Sequence, residues 1–271
     1  MTGLRLITYL SPGLPIAFFQ TIADALGPDA VLSADPRASG PVRGEIDPFS
    51  DGRADIGFMC APAFLAMRRG VTKPPVRLLG FAPVFDDPRA NGKTLYHADV
   101  VVRADDPAQT FGDLRGRRVG YNDAISLSGR LALLIHLAQL GEDLSYFSDT
   151  VGTGSHDASL IALHEGLIDT ATIDATTLRL RRTAGDPLAT EVRVIEGLGP
   201  HPIQPIVIRA DLAEDDVIHL HRALNALSQS TEGRAALAPF GCIGFAPVTD
   251  ASYQELDRLL VALDTDCEVR S

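Results

Sequence analysis

The chain has 271 residues, with 24 basic against 35 acidic side chains and a formal charge of −11. Hydrophobic residues make up 45 % and charged residues 22 %, an ordinary globular balance, enough for one large domain or two lobes of roughly 100–150 residues each. The acidity argues against non-specific binding to nucleic acid or anionic membrane, and no apolar run approaches the roughly 20 residues that a membrane helix needs; a small anionic ligand stays open, because a pocket field is local.

Met1-Thr2-Gly3 leads straight into Leu4–Leu10, which reads as a strand, with no basic, apolar and small-residue leader pattern. The expected location is therefore cytoplasmic, or periplasmic where a leader has been removed. Phe18, Phe19, Ile22 and Leu26 have helical spacing. Short apolar runs at 54–60, 77–81, 98–103 and 118–121 read as strands. Leu131, Leu134, Ile135 and Ala138 then predict a helix, and so do Leu160, Leu163 and Leu167. Strands follow at 170–174, 192–195 and 205–208. Two helices close the chain, on Val217–Leu227 and Tyr253–Leu263. The alternation predicts an α/β protein with a mainly parallel sheet and helices on both faces.

Boundary signals fall at Tyr96–Val101 and in the Gly/Pro cluster Gly197–Pro202. Two crossings imply one lobe inserted in another: 1–97 with 200–271, and 98–199 between them. Inserted lobes with two linkers are typical of hinged clefts.

Two loops lead from a strand into a helix. In Tyr121-Asn122-Asp123-Ala124-Ile125-Ser126-Leu127-Ser128-Gly129 the hydroxyls and free backbone N–H groups at a helix start suit an oxyanion, although a serine there can also be only a cap. Gly152-Thr153-Gly154-Ser155-His156-Asp157 nearly spells a dinucleotide fingerprint, but Asp157 holds the last glycine position and would repel a pyrophosphate. It reads better as a second helix start offering Ser155 and His156, with Ser155 or Asp157 as a cap the alternative. Gly92-Lys93-Thr94 is no phosphate loop, since Asp87 stands where a glycine is required. Cys60, Cys242 and Cys267 have neither disulfide-framework nor zinc spacing. His219 and His221 point to different faces of their helix and cannot share a metal. His136 reads as packing. Cys60 ends its strand where it could reach a cleft, or it is an inert buried thiol. No metal and no cofactor is expected.

Taken together, FGDLRGRRVGYNDAISLSG (111–129), GSHDASLIALHEGLIDTATID (154–174) and LGPHPIQPIVI (198–208) resemble phosphate/phosphonate-type ABC transporter solute-binding proteins. TYLSPGLP (8–15), DGRADIGFMCAPAF (51–64) and TLYHADVVVRADDP (94–107) agree, so the resemblance spans nearly the whole chain. It implies a two-lobed type 2 periplasmic-binding-protein fold with a hinged cleft. It also implies a small anionic ligand, phosphonate-, sulfonate- or carboxylate-like, and an ABC permease partner if the protein is exported. Residue by residue, Ser126 and Ser128 match the anion loop, His156 the ligand-directed histidine, and Asp174 the acid ending the next strand. Tyr9 and Ser11 meet the cleft from the other lobe, and Tyr96 sits near the hinge. With Cys60, Tyr121, Gly129 and Ser155 these make the expected ligand set. Leu127 splits the two loop hydroxyls, and Asp123 adds a carboxylate that disfavours a dianion. Asp174 could pair with a charged His156 or with a cationic group on the ligand. The alternative is a cytosolic enzyme on the same fold, similar to chorismate dehydratase, eliminating from a small carboxylate with His156 and Asp174 as acid and base.

Overall fold

The computed structural model describes residues 3–10, 13–35, 39–41 and 47–269, with side chains to 263. In chain order the elements are β1 (Arg5–Thr8), α1 (Ile16–Ala25), β2 (Val31–Ala34), β3 (Ile56–Phe58), α2 (Ala61–Arg68), β4 (Val76–Leu78), β5 (Phe81–Phe85) and β6 (Leu95–Arg103). There follow β7 (Arg118–Tyr121), α3 (Ala132–Gln139), β8 (Asp149–Gly152), α4 (His156–His164), β9 (Thr170–Asp174), α5 (Ala175–Thr183), α6 (Pro187–Thr190) and β10 (Val192–Pro202). The last are β11 (Ile206–Arg209), α7 (Glu214–Gln229), α8 (Thr231–Leu237), β12 (Cys242–Pro247) and α9 (Gln254–Val269). Short 3₁₀ turns and one π-turn, Leu127–Leu131, complete the set.

Two compact units result: Met1–Leu95 with Pro202–Gln254, and Tyr96–His201 with Glu255–Ser271. Residues 255–271 thus group with the second unit, whereas the sequence-based division put them in the first lobe.

The first unit is built on the sheet β2-β1-β3-β11-β4. β1 runs parallel to β2 and β3, while β11 is antiparallel to β3 and β4. Leu6, Ile56, Phe58, Val207 and Ile208 are all buried. α1 turns Phe18, Phe19, Ile22 and Ala23 inward. The Phe19 ring lies 5.1 Å from Phe58, and Phe18 lies 5.8 Å from Phe85 and 5.7 Å from Phe240. Burying each such side chain contributes roughly 1.5–3 kcal/mol. β5 and β12 form a separate antiparallel pair.

The second unit carries the sheet β10-β6-β9-β7-β8. β7 is parallel to β8 and β9, and β6 is antiparallel to β9. Successive side chains of a strand face opposite ways, and β6 uses both faces. Val100 and Val102 join Phe111, Leu133, Leu137 and Tyr146 in one core, and Val101 joins Leu160, Leu163, Ile173 and Val192 in the other.

The expected mainly parallel sheet is therefore corrected to two mixed sheets. The run 77–81 divides into β4 and β5, in different sheets, where Gly80 takes φ +92°. The cluster Gly197–Pro202, expected as a loop, continues β10 as extended backbone. β10 is the terminal strand of its sheet, the position in which proline is tolerated.

Candidate functional site

Because β8 and β9 flank β7 and both run parallel to it, the chain leaves all three at the same sheet edge. Ligands of open α/β sheets collect at such carboxyl ends, where helices begin and their unsatisfied N–H groups favour negative charge.

Each of the three helix starts is capped by a residue singled out from the sequence. Ser126 Oγ accepts the Gly129 N–H at 3.1 Å, and the Ser126 carbonyl accepts from both Arg130 and Leu131, the wide spacing of a π-turn. Ser155 Oγ accepts the Ala158 N–H at 3.0 Å. Asp174 Oδ1 accepts the N–H groups of Thr176 and Thr177 at 2.8 and 3.2 Å. The capping alternative thus holds for Ser126 and Ser155. Each capping hydroxyl accepts with its oxygen and retains its own proton for donation.

The π-turn is laced to the sheet. The Thr172 hydroxyl, midway along β9, donates to the Gly129 carbonyl. Asn122 Oδ1 occupies the space that a Cβ on residue 129 would need, so any other residue there would displace the Asn122 side chain. Thr172 and Asn122 escaped the sequence reading. A threonine within a strand and an asparagine in a loop carry no distinguishing pattern.

One side-chain contact joins the first two helix starts: Ser128 Oγ lies 3.1 Å from His156 Nε2. Ser128 is 3 % and His156 6 % exposed, so the pair is shut off from bulk water. Burial pushes the imidazole pKa down to about 4; the Thr172 backbone favours the charged ring but loses to desolvation. His156 Nδ1 is buried without a hydrogen bond. A pairing of His156 with Asp174, considered from the sequence, is therefore not made. Asp157, beside His156, is ion-paired to Arg181, which also holds Asp186.

Ser126, Ser128, Gly129, Ser155 and His156 are thus brought together, with Asp174 on the same edge. Tyr121 ends β7, its ring 5.6 Å from the Arg130 guanidinium carbon. Tyr96 lies buried on β6, its ring 6.3 Å from His201. Tyr9 and Cys60 belong to the first unit and are both buried; Cys60 precedes α2, and its N–H donates to the Ser39 carbonyl at 2.7 Å. Ser11 lies outside the described residues. His219 and His221 bond different carbonyls, those of Leu26 and Leu79. Among the described residues no cluster of three or more His, Cys, Asp or Glu could hold a metal ion, and no helix is long and apolar enough to cross a membrane.

Solved structures share this architecture. PA3383 of Pseudomonas aeruginosa, a binding protein component of an ABC phosphonate transporter, superposes with TM-score 0.77 at 16 % identity, covering 96 % of this chain and 86 % of the other. PhnD1 of Prochlorococcus marinus, solved with methylphosphonate, gives 0.76 at 15 % identity, covering 97 % and 98 %. XAC2383 of Xanthomonas citri, solved bound to ATP, gives 0.70 at 18 % identity and 98 % of both chains. The class is thereby defined: an α/β protein of the type 2 periplasmic-binding-protein fold. The family follows from residues 41–253, which match the model described as ABC transporter, phosphonate, periplasmic substrate-binding protein. The chain belongs to that family and is a solute-binding protein.

Proposed function

We propose that the protein captures a small oxyanion, phosphonate-, sulfonate- or carboxylate-like, at the carboxyl ends of β7, β8 and β9, and passes it to an ABC permease. The observation that carries this reading is the Ser128–His156 contact, which joins two helix starts into one donor-rich, buried surface. Neutral donors with fixed geometry suit an anion held by hydrogen bonds, and such bonds to a charged group are worth roughly 1.5–3 kcal/mol each. The family supports it, and so do the ligands named for two relatives, methylphosphonate and ATP, which share terminal phosphorus–oxygen groups.

Titration calorimetry with methylphosphonate, methanesulfonate and acetate tests the reading. At least one should bind, and Ser128→Ala should weaken it by about ten- to a hundredfold. Binding by none of the three, or an affinity unchanged in Ser128→Ala, would remove the site from this edge.

A further inference from the structure

His156 holds one nitrogen that the capture just proposed does not use. A neutral imidazole has one proton for two nitrogens. If Nε2 carries it and donates to Ser128 Oγ, the serine hydroxyl is free to donate to a ligand, but the Nδ1 lone pair is stranded in the interior. If Nδ1 carries it, that N–H is stranded instead. The serine hydroxyl is then spent on Nε2, and the serine offers an anion only lone pairs. Either way Nδ1 is buried without a hydrogen bond. The charged ring keeps the Nε2–H donated to Ser128 and the serine hydroxyl free for the ligand, as the first tautomer does, and adds a positive charge behind them; it also places an N–H on Nδ1, and the Thr172 backbone favours that charged form.

The charged groups on the elements packed against α4 are otherwise engaged. On β7, Arg118 is paired with Asp169, which precedes β9. Asp174, ending β9, caps α5. Asp186, capping α6, shares Arg181 with Asp157, and Glu191 faces His164. At the π-turn, Asp123 accepts the Ile125 N–H and Arg130 lies by the Tyr121 ring. Among the described residues no charged side chain contributes to the shift of the ring; burial favours its neutral form.

We infer that His156 takes up one proton from solvent when an oxyanion is held at Ser128, so that capture is proton-coupled. The inference rests on the oxyanion reading above. An opposite charge within about 4–6 Å raises a basic group by roughly 1–3 units. Linkage then makes affinity fall as pH rises between the free and the occupied pKa.

The test is calorimetry on the full chain with methanesulfonate, whose own charge is constant over this range, in buffers of different ionisation enthalpy. Methylphosphonate at about pH 5.5, as a monoanion, serves if it alone binds. Proton uptake approaching one per ligand is expected near pH 5.5, with methanesulfonate affinity about tenfold weaker at pH 7 than at pH 5. Both effects should vanish in His156→Gln. Binding without uptake, or uptake that persists in the variant, would overturn the inference and leave the oxyanion reading standing. Failure of both probes to bind would overturn that reading and the inference with it. Should His156→Gln not fold, the imidazole ¹³C shift of wild-type His156 decides. A move to the charged form on adding the probe is expected, and an unmoved neutral signal overturns the inference.

Discussion

His156 and His201 are both buried, and in both desolvation comes first in pushing the imidazole pKa down to about 4; for His201 the neighbouring His97 adds to it. A ring whose folded pKa lies below its unfolded value of about 6.5 binds protons more readily in the unfolded chain. Its contribution to stability is complete above pH 6.5 and is lost as pH falls toward 4. At pH 5 each histidine should cost roughly 2 kcal/mol relative to pH 7. Urea denaturation of the unliganded protein at the two pH values measures this. Stability that stays level from pH 7 to pH 5 would contradict the burial argument. His136, packed edge-on to Phe111 at 4.5 Å, is also lowered by burial, against a smaller opposing pull from Glu196, and adds in the same direction.

At the scale of elements, the π-turn depends on β9 through one hydroxyl. Thr172→Val keeps the shape of the side chain and removes its donation to the Gly129 carbonyl. The cost should be about 1–3 kcal/mol, because a buried carbonyl loses its partner. Amide exchange in Leu127–Leu131 should accelerate more than exchange in β7 or β9. Equal acceleration throughout would mean that the hydroxyl serves the sheet rather than the turn. This link was not legible in the sequence, whereas its surroundings were. β7 and β9 were readable to the residue, because each is a short stretch holding β-branched or aromatic residues (Val119 and Tyr121; Thr170, Thr172 and Ile173) that favour strands. The hydroxyls of Ser126 and Ser155 were readable as helix starts, since caps have a strong residue preference. β5, β12 and the extension of β10 were not. Their Pro and Gly residues punctuate like loops, and only pairing with a partner distant in the chain makes them strands. The His156–Ser128 contact spans 28 positions and became visible only once the parallel register was known.

For the whole molecule, the assignment of residues 255–271 to the second unit has a measurable result. Leu256 and Leu260 are buried, so removing the chain after Gln254 strips cover from Tyr96–His201. Hydrogen exchange in the truncated protein should rise across the second unit while β1, β3 and β11 keep their protection. Loss of protection confined to the first unit would reverse the assignment. The margins of the sheets carry a different consequence. In the second unit one margin is β8, only four residues long, and the other is β10, where Pro200 and Pro202 present no N–H. In the first unit, among the described residues, the margins of the five-stranded sheet are β2 and β4, of four and three residues, and the two strands of the β5–β12 pair carry Pro83 and Pro247. Unpaired strand margins are templates for the addition of foreign strands, and brevity and proline are two of the ways in which that is blocked. The fold is thus built to resist strand-by-strand aggregation, so a concentrated, ligand-free solution of this protein at pH 7 should remain monodisperse.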